Sequence, residues 1–166
     1  MTLARLTRRL QAGGSRGYTF VELIVVAAIV LILATAILPL SKVGIQRQKE
    51  VELRRALREM RTAIDRYKDA ADLQQLSNLE IEPDDMGYPP ELETLVEGVT
   101  RAGDATQTKM RFLRRIPKDP LTGEAEWGMR SYQDKPDSTS WGGQNVFDVY
   151  SKAGGTGLDG TPYSEW

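Results

Sequence analysis

YTFVELIVVAAIVLILATAILPL, residues 18–40, is the most apolar stretch of this chain. It is 23 residues long, and a helix of that length covers roughly 34 Å at about 1.5 Å per residue, enough to cross the hydrocarbon core of a bilayer. The sequence therefore predicts a membrane-spanning helix here. Glu22 is its only charged residue. A lone carboxylate inside a membrane costs about 2.5–3.5 kcal/mol on insertion scales, so we expect this side chain to have a partner.

A basic segment precedes the predicted span. Residues 1–17 contain arginines and no acidic residue, and arginine on the near side of a single span holds the N-terminus in the cytoplasm. Cutting the bond after Gly17 would create an α-amino group on Tyr18, one helical turn from Glu22, and would supply the missing partner. Two alternatives stay open. Glu22 is a tolerated acid near the end of an ordinary span, or residues 34–36 (Ala-Thr-Ala) form a secretory cleavage site, although the apolar stretch exceeds the usual ~7–15 residues.

The run RGYTFVE, residues 16–22, resembles the prepilin peptidase site of type IV pilins and type II secretion pseudopilins. In that family a basic leader ends in glycine, the next residue becomes the N-methylated start of the mature chain, and a glutamate follows four positions later. Pro39 falls where the family has a proline in its span. The resemblance implies cleavage between Gly17 and Tyr18, methylation of Tyr18, and roles in assembly for Glu22 and Pro39.

Residues 41–76 continue the helical pattern in amphipathic form. Together with the span they predict one helix of about 58 residues, roughly 87 Å long. Pro39 removes a backbone donor and crowds the preceding turn, so we expect a kink or a local loss of helix between Leu31 and Leu40. Apolar residues recur in this segment mostly at steps of three and four: Val43, Val51, Leu53, Leu57, Met60, Ile64, Tyr67 and Ala71.

Short elements and turns make up the remaining segment, residues 77–166. Two prolines, early acidic residues and a final Gly98 predict a short helix between Tyr88 and Gly98. Residues 99–108 are polar and contain glycine, which predicts a connector without regular structure. Alternating side chains predict two strands, near 127–132 and near 146–151.

Four short motifs occur in order in this second half: YPP at 88–90, IPKDP at 116–120, FDVYS at 147–151 and LDG at 158–160. With these motifs it resembles the G-type major pseudopilin of type II secretion systems. The resemblance implies an α+β, type IV pilin-like fold, in which a long N-terminal helix packs on a small antiparallel sheet and a C-terminal loop follows. It divides the chain into a removable leader (1–17), a transmembrane or filament-core helix (18–40), its amphipathic continuation (41–76) and a sheet domain (77–166).

The resemblance also implies that the C-terminal loop holds Ca²⁺. Residues 154–160 (GGTGLDG) form a glycine-rich loop with one carboxylate, Asp159. Backbone carbonyls, Asp159 and, more weakly, Asp148 and Ser151 are the oxygen ligands that such a site would use. The spacing of the acids does not fit an EF-hand, and no Lys-Ser/Thr pair follows to make a phosphate loop. A plain surface loop with Asp159 in a turn is the alternative.

Composition excludes several classes of function. The chain has no cysteine, so no disulfide stabilises it, and no histidine, the commonest general base. The net charge of −1 gives no basic face for nucleic acid. We therefore expect a structural protein and not an enzyme.

The sequence predicts a subunit that polymerises into a type II secretion pseudopilus and so drives protein export across the outer membrane. The alternatives are the major pilin of a surface type IV pilus and a membrane-tethered binding module that does not polymerise. Implied partners are further copies of the chain, the prepilin peptidase, the inner-membrane assembly platform and minor pseudopilins. The chain is expected in the inner membrane as a single-pass protein, with its N-terminus in the cytoplasm and its C-terminal domain in the periplasm.

Overall fold

A computed structural model describes residues 17–77, 85–104 and 106–166, and for residues 36–41 it describes the backbone alone. Apart from Gly17, the predicted leader lies outside the described residues, and so does the side chain of Pro39. The chain divides into two compact units with a boundary between Ser41 and Lys42.

The dominant element is helix α1, Phe20–Asp72, which is 53 residues long. Local loss of helix, one of the two effects expected near Pro39, is wrong, because α1 is unbroken across that position. The kink, the other expected effect, stays a prediction. A proline removes a single backbone donor, and the hydrogen bonds on either side of it can keep the helix continuous. Among the described residues, no helix combines the length and the apolar character required to cross a membrane.

The buried face of α1 in the second unit forms one side of the core. Its members follow alternating steps of three and four residues, with alanines between the larger side chains, as expected for a helix that packs along one apolar stripe. Two predicted members are wrong: Val43 and Val51 are more than half exposed. Val51 lies beside the stripe, whereas Val43 falls on its continuation by steps of three and four and is exposed all the same. The buried apolar residues of α1 are Leu53, Ala56, Leu57, Met60, Ala63, Ile64, Tyr67 and Ala70.

Two small antiparallel sheets complete the second unit. Helix α2 (Leu92–Glu97) ends at Gly98 and leads into strand β1 (Val99–Thr100), which pairs with β2 (Lys109–Met110). The predicted connector at 99–108 is therefore a hairpin, and two-residue strands are too short to show the alternation that marks a strand in sequence. Strand β3 (Trp127–Arg130) pairs with β4 (Asp148–Ser151), so that Trp127 lies opposite Ser151.

Side chains from every part of this unit join the core. The face of α1 clusters with residues of α2 and of both sheets, and the ring of Tyr67 packs edge-on against Phe112, with 5.2 Å between ring centroids. A 3-10 helix, Tyr163–Glu165, closes the C-terminal loop, defined here as residues 152–166, and Tyr163 belongs to the same cluster. The predicted α+β fold, a long helix packed on small antiparallel sheets, is confirmed and is consistent with a type IV pilin-like fold.

Candidate functional site

The bond between Gly17 and Tyr18 lies in an exposed segment before α1 begins. Residues 17–19 are not helical, and the Tyr18 side chain is 74% exposed. Within the part of the chain that the structure describes, and apart from Gly17 and its two chain neighbours, no atom lies within 4 Å of the place where a Cβ on Gly17 would be. Exposed, non-helical backbone is where proteases cut most readily. The structure therefore leaves the predicted cleavage site open on the chain.

Thr19 sets the start of the helix and was missed by the sequence analysis. Its hydroxyl oxygen accepts a hydrogen bond from the Glu22 backbone N–H at 3.2 Å, and its carbonyl accepts one from the Leu23 N–H at 3.1 Å. A threonine followed three residues later by glutamate is the spacing of a capping box. The negative charge of Glu22 in the first turn also suits the helix dipole. Glu22 thus occupies a position that fits helix capping as well as the predicted pairing with an α-amino group.

The apolar residues that follow Tyr18 are exposed on all sides of α1. A helix that is apolar all round is normally covered, either by lipid or by other protein. The role of residues 18–40 as a transmembrane or filament-core helix stays a prediction. Large side chains here that are half or more exposed are Phe20, Val21, Leu23, Ile24, Val25, Val26, Ile29, Val30, Leu31, Ile32 and Leu33.

Asp159, the first of the predicted calcium ligands, is bound to neighbours within the chain. Its Oδ1 accepts a hydrogen bond from the Thr161 N–H at 3.0 Å, and its Oδ2 lies 3.0 Å from Nη2 of Arg54. The Thr161 N–H, with a smaller contribution from the Arg54 charge, lowers the pKa of Asp159. The carboxylate is therefore ionised near neutral pH and already faces a cation.

The other two predicted ligands point to different partners. Asp148 lies between two guanidinium groups, 2.7 Å from Nε of Arg61 and 3.5 Å from Nη1 of Arg130. Ser151 is fully buried, and its hydroxyl donates to Oδ2 of Asp119 at 2.5 Å. A third positive centre, such as a metal ion, beside Asp148 would be repelled by both arginines.

The residues present do not fit a calcium site built on all three side chains. Across the described part of the chain, no group of three or more Asp or Glu side chains is placed to hold a metal ion. Of the predicted calcium ligands, only Asp159 and the backbone carbonyls of the loop remain. Bound calcium stays a prediction.

Glu50 is the second residue that the sequence analysis missed. Its side chain lies in the core face, where the residue is only 8% exposed, and Arg54, one turn further along α1, pairs with Asp159. The sequence does contain a signal, since Glu50 continues the stripe of Leu53 and Leu57 upward by alternating steps of three and four. A charged residue at a stripe position is rare unless it has buried partners.

Comparison with protein families gives one match. Residues 13–38 match the family model described as the prokaryotic N-terminal methylation motif. No curated protein and no solved structure matches the chain. The matched segment includes Gly17, Tyr18 and Glu22, the residues predicted for cleavage, methylation and assembly. The segment 13–38 is thus similar to an N-terminal methylation motif.

Proposed function

We propose that the chain is a structural, non-enzymatic subunit that is cleaved after Gly17, methylated at Tyr18 and polymerised into a type II secretion pseudopilus. The observation that carries the proposal is the match to the methylation motif at residues 13–38, on a segment whose cleavage bond is exposed and whose following helix is apolar all round. The fold of the second unit agrees with it. In this proposal the chain crosses the inner membrane once, with its second unit in the periplasm.

Assembly then follows from the chemistry of the new N-terminus. Cleavage gives Tyr18 a positive amine next to apolar side chains, where an unpaired charge is expensive. The Glu22 carboxylate of a neighbouring copy neutralises that amine when the two apolar helices lie side by side. Burying either charge without the other costs several kcal/mol, so the pair fixes the register between copies while the apolar surfaces supply the contact area.

Mass spectrometry of the intact native protein tests the processing step. We expect a chain that begins at Tyr18 and carries one additional methyl group on its amine. A membrane-tethered module would keep residues 1–17, and a secretory protein cut after residue 36 would begin at Ile37. Either of these masses would refute the proposal.

Replacing Glu22 tests the assembly step. We expect Glu22→Ala to reach the membrane in normal amounts and to assemble poorly or not at all, because the amine of the neighbouring copy is left unpaired. Glu52→Ala is the matched control, since Glu52 is an exposed acid on the same helix and its side chain accepts a hydrogen bond from Gln48. Normal yields of filament from Glu22→Ala, measured by shearing and electron microscopy, would contradict the pairing.

The choice between a pseudopilus and a surface pilus rests on the second half of the chain. The resemblance of residues 88–160 to the major pseudopilin favours the pseudopilus, as does the absence of cysteine, since many pilins carry a disulfide in this region. Deletion of the gene should abolish export of secreted enzymes and leave surface fibres intact. Loss of fibres and of twitching movement with export unchanged would identify a surface pilus.

A further inference from the structure

The C-terminal loop (residues 152–166) rests on a polar continuation of the core stripe of α1. The next two stripe positions before Leu53 are Glu50, three residues earlier in the chain, and Gln46, four residues before Glu50. Arg54 lies one helical turn after Glu50, toward the C-terminus. Where apolar packing on α1 ends, these three side chains contact the loop.

The Glu50 carboxylate collects hydrogen-bond donors from that loop. Its Oε1 accepts from the backbone N–H of Leu158 at 2.9 Å and from the hydroxyl of Tyr163 at 3.1 Å. Gln46 donates to the same oxygen at 3.0 Å and also lies 3.1 Å from the Tyr163 hydroxyl. Burial and the neighbouring Glu50 raise the pKa of Tyr163, so its hydroxyl keeps its proton and remains a donor. One buried oxygen thus binds two points of the loop that lie more than 100 residues further along the chain.

The polarity of this arrangement is the reverse of that in a calcium loop. A loop that binds Ca²⁺ turns carboxylate and carbonyl oxygens toward a central cation. At Glu50 the loop instead turns an N–H and an O–H toward the carboxyl group of α1. Donors directed inward cannot coordinate a cation.

Arg54 occupies the open side of the loop carboxylate. Its guanidinium lies 3.0 Å from Oδ2 of Asp159 and 4.2 Å from the centre of the Trp166 ring. Both members of the ion pair are about half exposed, and exposed pairs contribute little stability. The pair therefore orients the rim of the loop, whereas the buried Glu50 fixes its position.

We propose that Glu50 is the anchor of the C-terminal loop and that the loop closes on α1 without a bound metal ion. This inference does not depend on whether the chain forms a pseudopilus, because it concerns contacts within one copy. It differs from the calcium loop implied by the family resemblance, and the difference follows from the donors that this loop presents.

Hydrogen exchange of the full chain in mild detergent tests the proposal. Exchange of the segment 155–163 is followed by mass spectrometry, once with excess calcium and once with a chelator. We expect the same protection in both conditions. In Glu50→Ala we expect exchange at Leu158 to accelerate by about 10- to 100-fold, as for the loss of a hydrogen bond to a charged group. Glu52→Ala, the same change at an exposed site, should leave the segment unchanged.

A milder variant keeps the test decisive if Glu50→Ala does not fold. Tyr163→Phe keeps the ring in the core and removes only the hydroxyl that donates to Glu50, so it should accelerate exchange of the same segment to a smaller extent. Protection of residues 155–163 by calcium in the unaltered chain would overturn the proposal and confirm a calcium loop. Unchanged protection in both Glu50→Ala and Tyr163→Phe would overturn it as well.

Discussion

Asp119 offers the sharpest test of how the second unit is held together. The residue has no exposed surface. Its Oδ1 accepts from the Leu121 N–H at 2.7 Å and its Oδ2 from the Ser151 hydroxyl at 2.5 Å. It therefore joins the turn after Pro117 to strand β4, two segments about 30 residues apart. We expect Asp119→Ala to loosen both.

The size of the effect follows from the two donors that the substitution leaves behind. An unsatisfied buried donor costs about 1–3 kcal/mol, so the loss of both acceptors should lower the free energy of unfolding by roughly 2–6 kcal/mol. The whole stability of a domain of this size is only about 5–15 kcal/mol. Asp119→Asn keeps an acceptor for Leu121 and has a similar volume, and we expect it to cost about 1 kcal/mol.

Urea unfolding of the full chain in detergent, followed by tryptophan fluorescence, measures this difference. Trp127 is a suitable reporter because it is buried and its indole N–H donates to the Pro117 carbonyl at 2.9 Å, beside the affected turn. Asp137→Ala, at an exposed position, is the control and should fall within about 0.5 kcal/mol of the unaltered chain. If Asp119→Ala also falls within that range, Asp119 does not join the two segments and the argument is wrong.

Two further predictions concern other contacts of the same unit. A Cβ at Gly128 would lie 2.2 Å from the Tyr150 ring, so Gly128→Ala should displace the ring and lower the free energy of unfolding by about 1–3 kcal/mol, as measured by thermal unfolding. Hydrogen bonds from Thr106, mainly from its hydroxyl, lower the pKa of Asp104 from 3.8 to about 2. A carboxyl whose pKa is lowered by folding stabilises the folded state at a pH above its pKa in the unfolded chain, and this stabilisation is lost as the pH falls toward its pKa in the folded chain. Amide protection of the β1–β2 turn should therefore fall between about pH 4 and pH 2. The Asp104→Asn variant should show no such step.

The sequence by itself determined the features that depend on neighbouring residues. The run from Tyr18 to Leu40, the steps of three and four that follow it, and the glycine that ends α2 are local patterns, and a helix or a turn forms from local contacts. The same is true of the spacing of Gly17, Tyr18 and Glu22, which lie within one short stretch of the sequence. These elements could be predicted because their physics lies within a few residues.

Only the tertiary structure decided which side chains meet over long distances in the chain. The sequence analysis counted the apolar Val51 among the stripe residues of α1, whereas in the folded chain Glu50 lies on the core face of that helix. Glu50 is accommodated there because Leu158 and Tyr163 supply hydrogen-bond donors that no local pattern reveals. The predicted calcium ligands show the same limit. Asp148 was an available oxygen ligand in the sequence, but the folded chain surrounds it with two arginines from other elements. Whether a carboxylate binds a metal ion or an arginine depends on which charge the fold brings within about 4 Å of it, where opposite charges interact strongly.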